Sequence, residues 1–109
     1  MVKVFNDENF KKEALEASRG KPVLVDFFAP WCGPCKIQGP IIDEVAEDLG
    51  EKAVVGKINT EEAPETSNRY GVMSIPTIIL FKDGEPKETL NGLQSKEALV
   101  EIIEKYLPR

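Results

Sequence analysis

The sequence contains no histidine, only one tryptophan and only two cysteines among its 109 residues. A closed zinc site needs four ligands and would here require carboxylates or a second chain, and two cysteines are too few for the disulfide framework of a small secreted domain. Basic residues are also scarce, since 14 Lys and Arg stand against 19 Asp and Glu. We therefore expect no nucleic-acid partner, no metal and no cofactor.

Long apolar runs are absent as well. No stretch approaches the roughly 20 apolar residues of a membrane helix. The opening residues, MVKVFNDENFKKEAL, lack the apolar centre of a signal peptide. The sequence therefore predicts a cytoplasmic protein with no membrane partner, and its length and its 41% of hydrophobic residues fit one domain over residues 1–109.

Segments typical of strands alternate with helical patterns. The run PVLVDFFA, which starts at Pro22, is apolar on both faces, as in a strand covered on both sides of an α/β sheet. Further strands are predicted at residues 3–5, 53–59, 77–81 and, after a turn at 82–84, 87–90.

Four helical patterns complete the predicted fold. Asn6 or Asp7 can cap the first and Ser95 the last, and Gly71 ends a short helix within residues 61–70. The expected buried residues are Phe10, Ala14 and Leu15 in the first helix, Ile37, Ile41, Val45 and Leu49 in the second, and Leu99, Ile102, Ile103 and Tyr106 in the last. Together the elements predict a mixed sheet between helices.

Both cysteines stand in FAPWCGPCK, where the strand from Pro22 gives way to the second helix. Chemistry in open α/β sheets gathers at this edge. Free N–H groups and the dipole at a helix N-terminus favour a thiolate at Cys32, and Cys35 lies within disulfide reach on the same face. Pro34 is tolerated in the first turn because its missing N–H would have no partner there.

A disulfide between these cysteines would stabilise the chain by only about 2 kcal/mol because its loop is so short. Thiol–disulfide chemistry is therefore the favoured interpretation of the pair. A structural disulfide and a shared metal site remain the alternatives.

Asp26 is a carboxylate within the apolar residues VLVDFF. Burial would raise its pKa and suit it to a functional role, whereas a position at an exposed strand end is the alternative. Lys57, in the neighbouring predicted strand, could be its partner, although an exposed lysine is the commoner case.

Other positions are ambiguous from physics alone. Trp31 would either form a wall of the site or pack as an ordinary half-buried side chain. Most X–Pro bonds are trans, so the bond between Ile75 and Pro76 is expected to be trans. Gly92 fits a turn before the last helix.

Taken together, WCGPCK at 31–36, Asp26, SIPT at 74–77, FKDG at 81–84 and Gly92 resemble the thioredoxin family. The similarity covers essentially the whole chain. It implies an α/β thioredoxin fold with a central mixed β-sheet of four or five strands flanked by about four helices. It also implies a protein-disulfide reductase that works by dithiol–disulfide exchange.

The resemblance further implies roles for individual residues. Cys32 would be the nucleophile, Cys35 the resolving thiol and Asp26 a proton relay with Lys57 close to it, and the Ile75–Pro76 bond would be cis. The surface that binds substrates would include Trp31, Gly33, Pro34, Ile75, Pro76 and Gly92. The implied partners are disulfide-containing proteins and a thioredoxin reductase, with the chain acting as a monomer.

Three residues depart from the commonest family pattern. These are Phe28, Gly39 and Asn91, of which Asn91 puts partner choice in question. Two alternatives to the reductase also remain on the same fold. One is a disulfide oxidase or isomerase, against which the Gly33–Pro34 pair speaks, and the other is a non-catalytic binding subunit.

Overall fold

The computed structural model describes residues 1–108. The sheet runs in the order β1, β3, β2, β4, β5, with β1 and β2 parallel to β3 and with β4 antiparallel to both β2 and β5. The strands are β1 Lys3–Phe5, β2 Val23–Phe28, β3 Val54–Asn59, β4 Thr77–Lys82 and β5 Glu85–Asn91. The predicted strands are thus confirmed, and β5 is longer than expected.

The helices lie on the two faces of this sheet. They are an N-terminal helical segment Lys11–Glu16, continued by a 3₁₀ turn Ala17–Arg19, then α1 Gly33–Leu49, α2 Pro64–Arg69 and α3 Lys96–Lys105. A short 3₁₀ turn, Gly50–Lys52, follows α1. The mixed sheet of five strands with four helices confirms the predicted α/β class.

Side chains of the central strand β2 alternate between two cores. Leu24 packs with α1 and α3 on one face, which we call the active-site face. Val23, Val25 and Phe27 pack with the N-terminal segment on the opposite face. Because strand side chains alternate, Asp26 shares the face of Leu24 and lies beneath α1.

The buried stripe of α1 differs from the expected one. Ile37 is 57% exposed, and Ile41 is only partly buried. The residues that α1 buries are Cys35, Gln38, Ile42, Val45, Ala46 and Leu49. A strict spacing of four residues drifts around a helix of 3.6 residues per turn, so the prediction was right for Val45 and Leu49 and wrong for Ile37.

The structure shows which of the predicted side chains cap helices. Asn6 and Asn9 each accept a hydrogen bond from the other's backbone N–H at 2.8 Å, so Asn6 is the residue that caps the first helical pattern. Asp7 instead accepts from the backbone N–H of Thr66 at 2.9 Å and so caps α2. Ser95 accepts from Ala98 N–H at 3.1 Å, which confirms the predicted start of α3.

None of the helices in residues 1–108 is long and apolar enough to cross a membrane.

Candidate active site

The site begins where β2 ends and α1 begins. Cys32 caps α1, and its Sγ accepts a hydrogen bond from the backbone N–H of Cys35 at 3.2 Å. The two cysteines are joined by a disulfide, with their Cα atoms 5.2 Å apart, and both are buried. The free N–H groups at this helix end would also stabilise a thiolate on Cys32 after reduction.

The loop before β4 lies beside the disulfide. Sγ of Cys32 is 3.8 Å from the carbonyl oxygen of Ile75. The bond between Ile75 and Pro76 is cis, so the expectation drawn from general frequency was wrong and the one drawn from family resemblance was right. The backbone N–H of Gly92 donates to the carbonyl oxygen of Pro76 at 2.8 Å, which brings a third segment to the site.

Gly92 itself adopts a backbone conformation that suits glycine. Its φ is +86°, a region that side chains with a Cβ rarely occupy. A glycine here lets the chain turn out of β5 while its N–H still reaches Pro76. The predicted turn before α3 is therefore confirmed.

Asp26 is a buried carboxylate with an incomplete set of hydrogen bonds. It is 2% exposed, and its Oδ1 has no hydrogen-bond partner within residues 1–108. Burial raises the pKa of Asp26 to about 7, although the positive charge of Lys57 opposes this rise. Asp26, Cys35 and Lys57 line one pocket of about 200 Å³, so the carboxyl group and one sulfur of the disulfide share the same cavity.

Lys57 lies opposite Asp26 in the parallel pairing of β2 and β3. Its side chain is exposed, which was the commoner alternative for this residue. Its Nζ is 5.8 Å from the centre of the Phe28 ring, within the range of a cation–π interaction. Phe28 and Lys57 both line the pocket that contains Asp26, so this contact helps to hold the lysine there.

Trp31 directly precedes Cys32 in the sequence, and its side chain lies on the surface. Its side chain is 69% exposed, and its indole N–H donates a hydrogen bond to a carboxylate oxygen of Glu61. Ordinary half-buried packing is therefore excluded for this residue. Gly33 and Pro34, in the first turn of α1, are exposed as well.

Sequence reasoning missed several residues near the site. Glu61 has no signal in the sequence, because its contact with Trp31 joins residues that are 30 positions apart. Gln38 had a weak signal, since it is a polar residue one turn after Cys35 on a helix. Exposed apolar side chains on the segments around the site are Ile37, Met73 and Leu93.

No group of three or more carboxylate or cysteine side chains in the described part of the chain is arranged to hold a metal ion. A shared metal site would therefore need ligands from a second chain. The disulfide joins two cysteines at a helix N-terminus, and Cys35 shares a pocket with the buried carboxyl group of Asp26. An arrangement of this kind on an open α/β sheet defines a thiol–disulfide oxidoreductase.

Comparisons with known proteins agree with this class. The thioredoxin family model matches residues 1–105, and the chain belongs to that family. It is 51% identical over 107 residues to the thioredoxin of Rickettsia prowazekii (strain Madrid E), covering 98% of this chain and 100% of the relative. It is also 46% identical over 101 residues to thioredoxin 1 of Synechococcus elongatus (strain ATCC 33912 / PCC 7942 / FACHB-805), covering 93% and 92%.

A chloroplast relative is similar over a comparable stretch. The M-type thioredoxin of Chlamydomonas reinhardtii is 49% identical over 102 residues, which cover 94% of this chain and 71% of the relative. The family and the cysteine pair identify a thioredoxin fold and a protein-disulfide reductase that acts by dithiol–disulfide exchange. Proteins are the substrates of this family.

Proposed function

We propose that Cys32 is the attacking nucleophile and Cys35 the resolving thiol. The thiolate of Cys32 attacks one sulfur of a substrate disulfide, so that a mixed disulfide forms and the other substrate sulfur leaves as a thiolate. Cys35 then loses its proton and attacks Sγ of Cys32. The substrate leaves with both sulfurs reduced, and the protein keeps the disulfide between Cys32 and Cys35.

The position of Cys32 at the start of α1 carries this assignment. Backbone N–H groups at a helix start lack intrahelical partners. Pro34 has no N–H, but those of Gly33 and Cys35, the latter donating to Cys32 Sγ, favour negative charge on the first cysteine. Cys35 lies within the first turn and faces the pocket that contains Asp26. The first cysteine thus has the environment of a nucleophile, and the second has a neighbouring proton acceptor.

Asp26 accepts the proton of Cys35 during the second step. A pKa of about 7 allows the carboxyl group to take up and release a proton near neutral pH, which is the condition for an efficient general base. Lys57 limits the rise of this pKa through its charge. Lys57 therefore tunes the pKa of Asp26 through its charge.

Substrates dock on the surface around the disulfide. It comprises Trp31, Gly33, Pro34, Ile75, Pro76 and Gly92, of which Pro76 is itself buried and holds the neighbouring residues in place. The hydrogen bond between Gly92 and Pro76 supports one continuous surface, and the exposed side chains of Met73 and Leu93 extend it with apolar area. An extended apolar segment that carries a disulfide fits such a surface.

We also propose a domain organisation, partners and a cellular location for the protein. Residues 1–109 act as one domain, which the two cores sharing a single sheet support. The chain acts as a monomer without a nucleic-acid partner, and a thioredoxin reductase regenerates its dithiol. A cytoplasmic location follows because a pair that donates electrons must be kept reduced.

A trapping experiment tests the assignment of the two cysteines. Cys35→Ser should accumulate a mixed disulfide between Cys32 and a disulfide-bonded protein such as insulin, detected as a mass increase that dithiothreitol reverses. Cys32→Ser serves as the matched control and should form none. Trapping by Cys32→Ser instead would reverse the roles of the two cysteines.

A redox titration tests the direction of electron flow. The pair should equilibrate with dithiothreitol at a strongly reducing potential, measured by thiol alkylation. An oxidising potential, close to that of a disulfide donor, would favour the oxidase or isomerase alternative.

A further inference from the structure

Gln38 is a fully buried polar side chain that the mechanism does not use. It lies in α1 one turn after Cys35 and is 0% exposed. Its Nε2 donates to the carbonyl oxygen of Gln94 at 3.1 Å, and its Oε1 accepts from the backbone N–H of Gln94 at 2.8 Å. Both ends of one amide therefore bind the backbone of a single residue.

Gln94 lies in the connection between β5 and α3, which we call the 92–94 segment. This segment belongs to neither element, so the sheet ladder and the helix do not supply partners for its backbone groups. Gln38 supplies two of them from α1. The N–H of Gly92, at the other end of the segment, donates to Pro76 at 2.8 Å.

These contacts form a continuous path between α1, which contains Cys35, and the docking surface. The path runs from α1 through Gln38 to the 92–94 segment and then to Pro76, beside Ile75 and Cys32. Leu93, in the middle of the segment, is 47% exposed and available to a partner. The position of Leu93 relative to the cysteines is thus fixed from two sides.

An apolar residue at position 38 could fill the same space without fixing the segment. Apolar contact has no direction, whereas two parallel hydrogen bonds set both the distance and the orientation of the backbone that they bind. Breaking either hydrogen bond of a buried amide also costs free energy, because the unpaired group has no access to water. Alternative positions of the segment are therefore disfavoured.

We propose that Gln38 is a positioning residue that holds the 92–94 segment in place for docking of protein substrates. This inference rests on the proposed function, which places Pro76 and Gly92 in the docking surface. Gln38 touches neither the reacting sulfur atoms nor, through its buried side chain, the substrate. It acts on substrate affinity through the 92–94 segment and leaves the chemistry of the cysteines unchanged.

Gln38→Met tests the proposal because methionine keeps the length of the side chain and removes both hydrogen bonds. Its KM for insulin should rise about 3- to 10-fold, while kcat changes less than about twofold. The redox potential of the pair and its rate with oxidised glutathione, which is too small to reach Leu93, should stay as in the wild type.

Ile42→Val provides the matched control. Ile42 lies one turn further along the buried face of α1 and is 1% exposed, so its truncation lowers stability without removing a hydrogen bond. Its KM should equal that of the wild type. If Gln38→Met and Ile42→Val raise KM equally, Gln38 contributes only stability and the proposal is wrong.

Amide hydrogen exchange tests the same contact without any substrate. The N–H of Gln94 should exchange at least about fivefold faster in Gln38→Met than in the wild type, and at the wild-type rate in Ile42→Val. Unchanged exchange in Gln38→Met would overturn the proposal. A wild-type protein that fails to reduce insulin would overturn the proposed function as well, whereas an active wild type with an unaffected Gln38→Met would overturn only this inference.

Discussion

The two faces of the sheet are built in different ways. The face opposite the active site contains an aromatic cluster of Phe5, Phe10, Tyr70 and Phe81, with ring centres 5.0–5.8 Å apart. The active-site face differs in burying a titratable carboxylate, Asp26, together with the amide of Gln38, and it leaves a pocket of about 200 Å³ beside the disulfide. One face is packed for stability, and the other contains groups that a stable core would exclude.

The comparison shows where groups that the mechanism needs lower the stability of the fold. Edge-to-face aromatic pairs contribute beyond the area that they bury, and nothing in the cluster needs to titrate. A buried carboxylate without a full set of partners destabilises the fold, yet it supplies the proton acceptor that the proposed mechanism needs. Changes on the aromatic face should therefore lower stability and leave activity unchanged. Removing the buried carboxylate of the active-site face should instead lower activity.

The largest effect on stability is expected for Phe81→Ala. Phe81 is fully buried and contacts both Phe10 and Tyr70 in the aromatic cluster. Its truncation should lower the free energy of unfolding by about 3–5 kcal/mol, measured by denaturant unfolding. The rate of insulin reduction per folded molecule should not change, and a reduced rate would mean that the two faces are not independent.

Asp26 on the active-site face should contribute a pH dependence to stability that can be isolated. The pKa of Asp26 is raised from an ordinary value of 3.8 to about 7, so the folded state binds its proton more tightly than the unfolded state. The contribution of Asp26 to the free energy of unfolding should thus be most favourable below pH 4, fall by about 4 kcal/mol as the pH rises to 7, and then level off.

Asp26→Asn removes the titrating group and keeps its shape. Subtracting its unfolding free energies from those of the wild type between pH 4 and pH 8 isolates the contribution of Asp26. The same variant should reduce insulin more slowly near neutral pH, since Cys35 loses its proton acceptor. A difference curve that does not change with pH would contradict the buried, neutral form of Asp26.

Gly56→Ala should disturb the aromatic face to a smaller extent. A Cβ at this position in β3 would overlap the ring of Phe5, which lies against the glycine backbone. Moving that ring should cost about 1–3 kcal/mol in the free energy of unfolding, measured in urea. Combining Gly56→Ala with Phe5→Leu provides the control, and a loss of the same size in both backgrounds would exclude the ring as its cause.

Gly39→Ala should produce the smallest change in stability. Unlike the substitutions on the aromatic face, it should stabilise the protein. A Cβ on this residue of α1 would meet no other atom within 4 Å, so only the helix propensity changes. The free energy of unfolding should rise by about 1 kcal/mol, measured by thermal and urea unfolding. A loss of stability would show that α1 needs glycine at this position for packing.

The sequence predicted the aromatic face less directly than the strands around it. Alternating and continuous apolar runs are local signals, so all five strands and the start of α3 could be located from the chain alone. The clustering of Phe5, Phe10 and Phe81 depends on contacts between residues far apart in the chain. No periodicity within one element reveals such contacts.

The active-site face was predicted in part. The pair Cys32 and Cys35 and the buried Asp26 could be recognised because their signals are a spacing and an anomalous residue type. The cis bond before Pro76 could be expected only by family resemblance, since physics favours trans for an isolated bond. The role of Gln38 had to await the structure, because its partner lies 56 residues away.

The outer strands of the sheet also affect how the protein behaves in concentrated solution. At one edge β1 has only three residues, and at the other β5 carries a proline, Pro86, and a charged neighbour, Lys87. Proline lacks the N–H that a further strand would need, and a lysine disfavours stacking of identical edges. Both outer strands are thereby poor templates for pairing with the exposed strands of other chains, which limits association of the protein at high concentration.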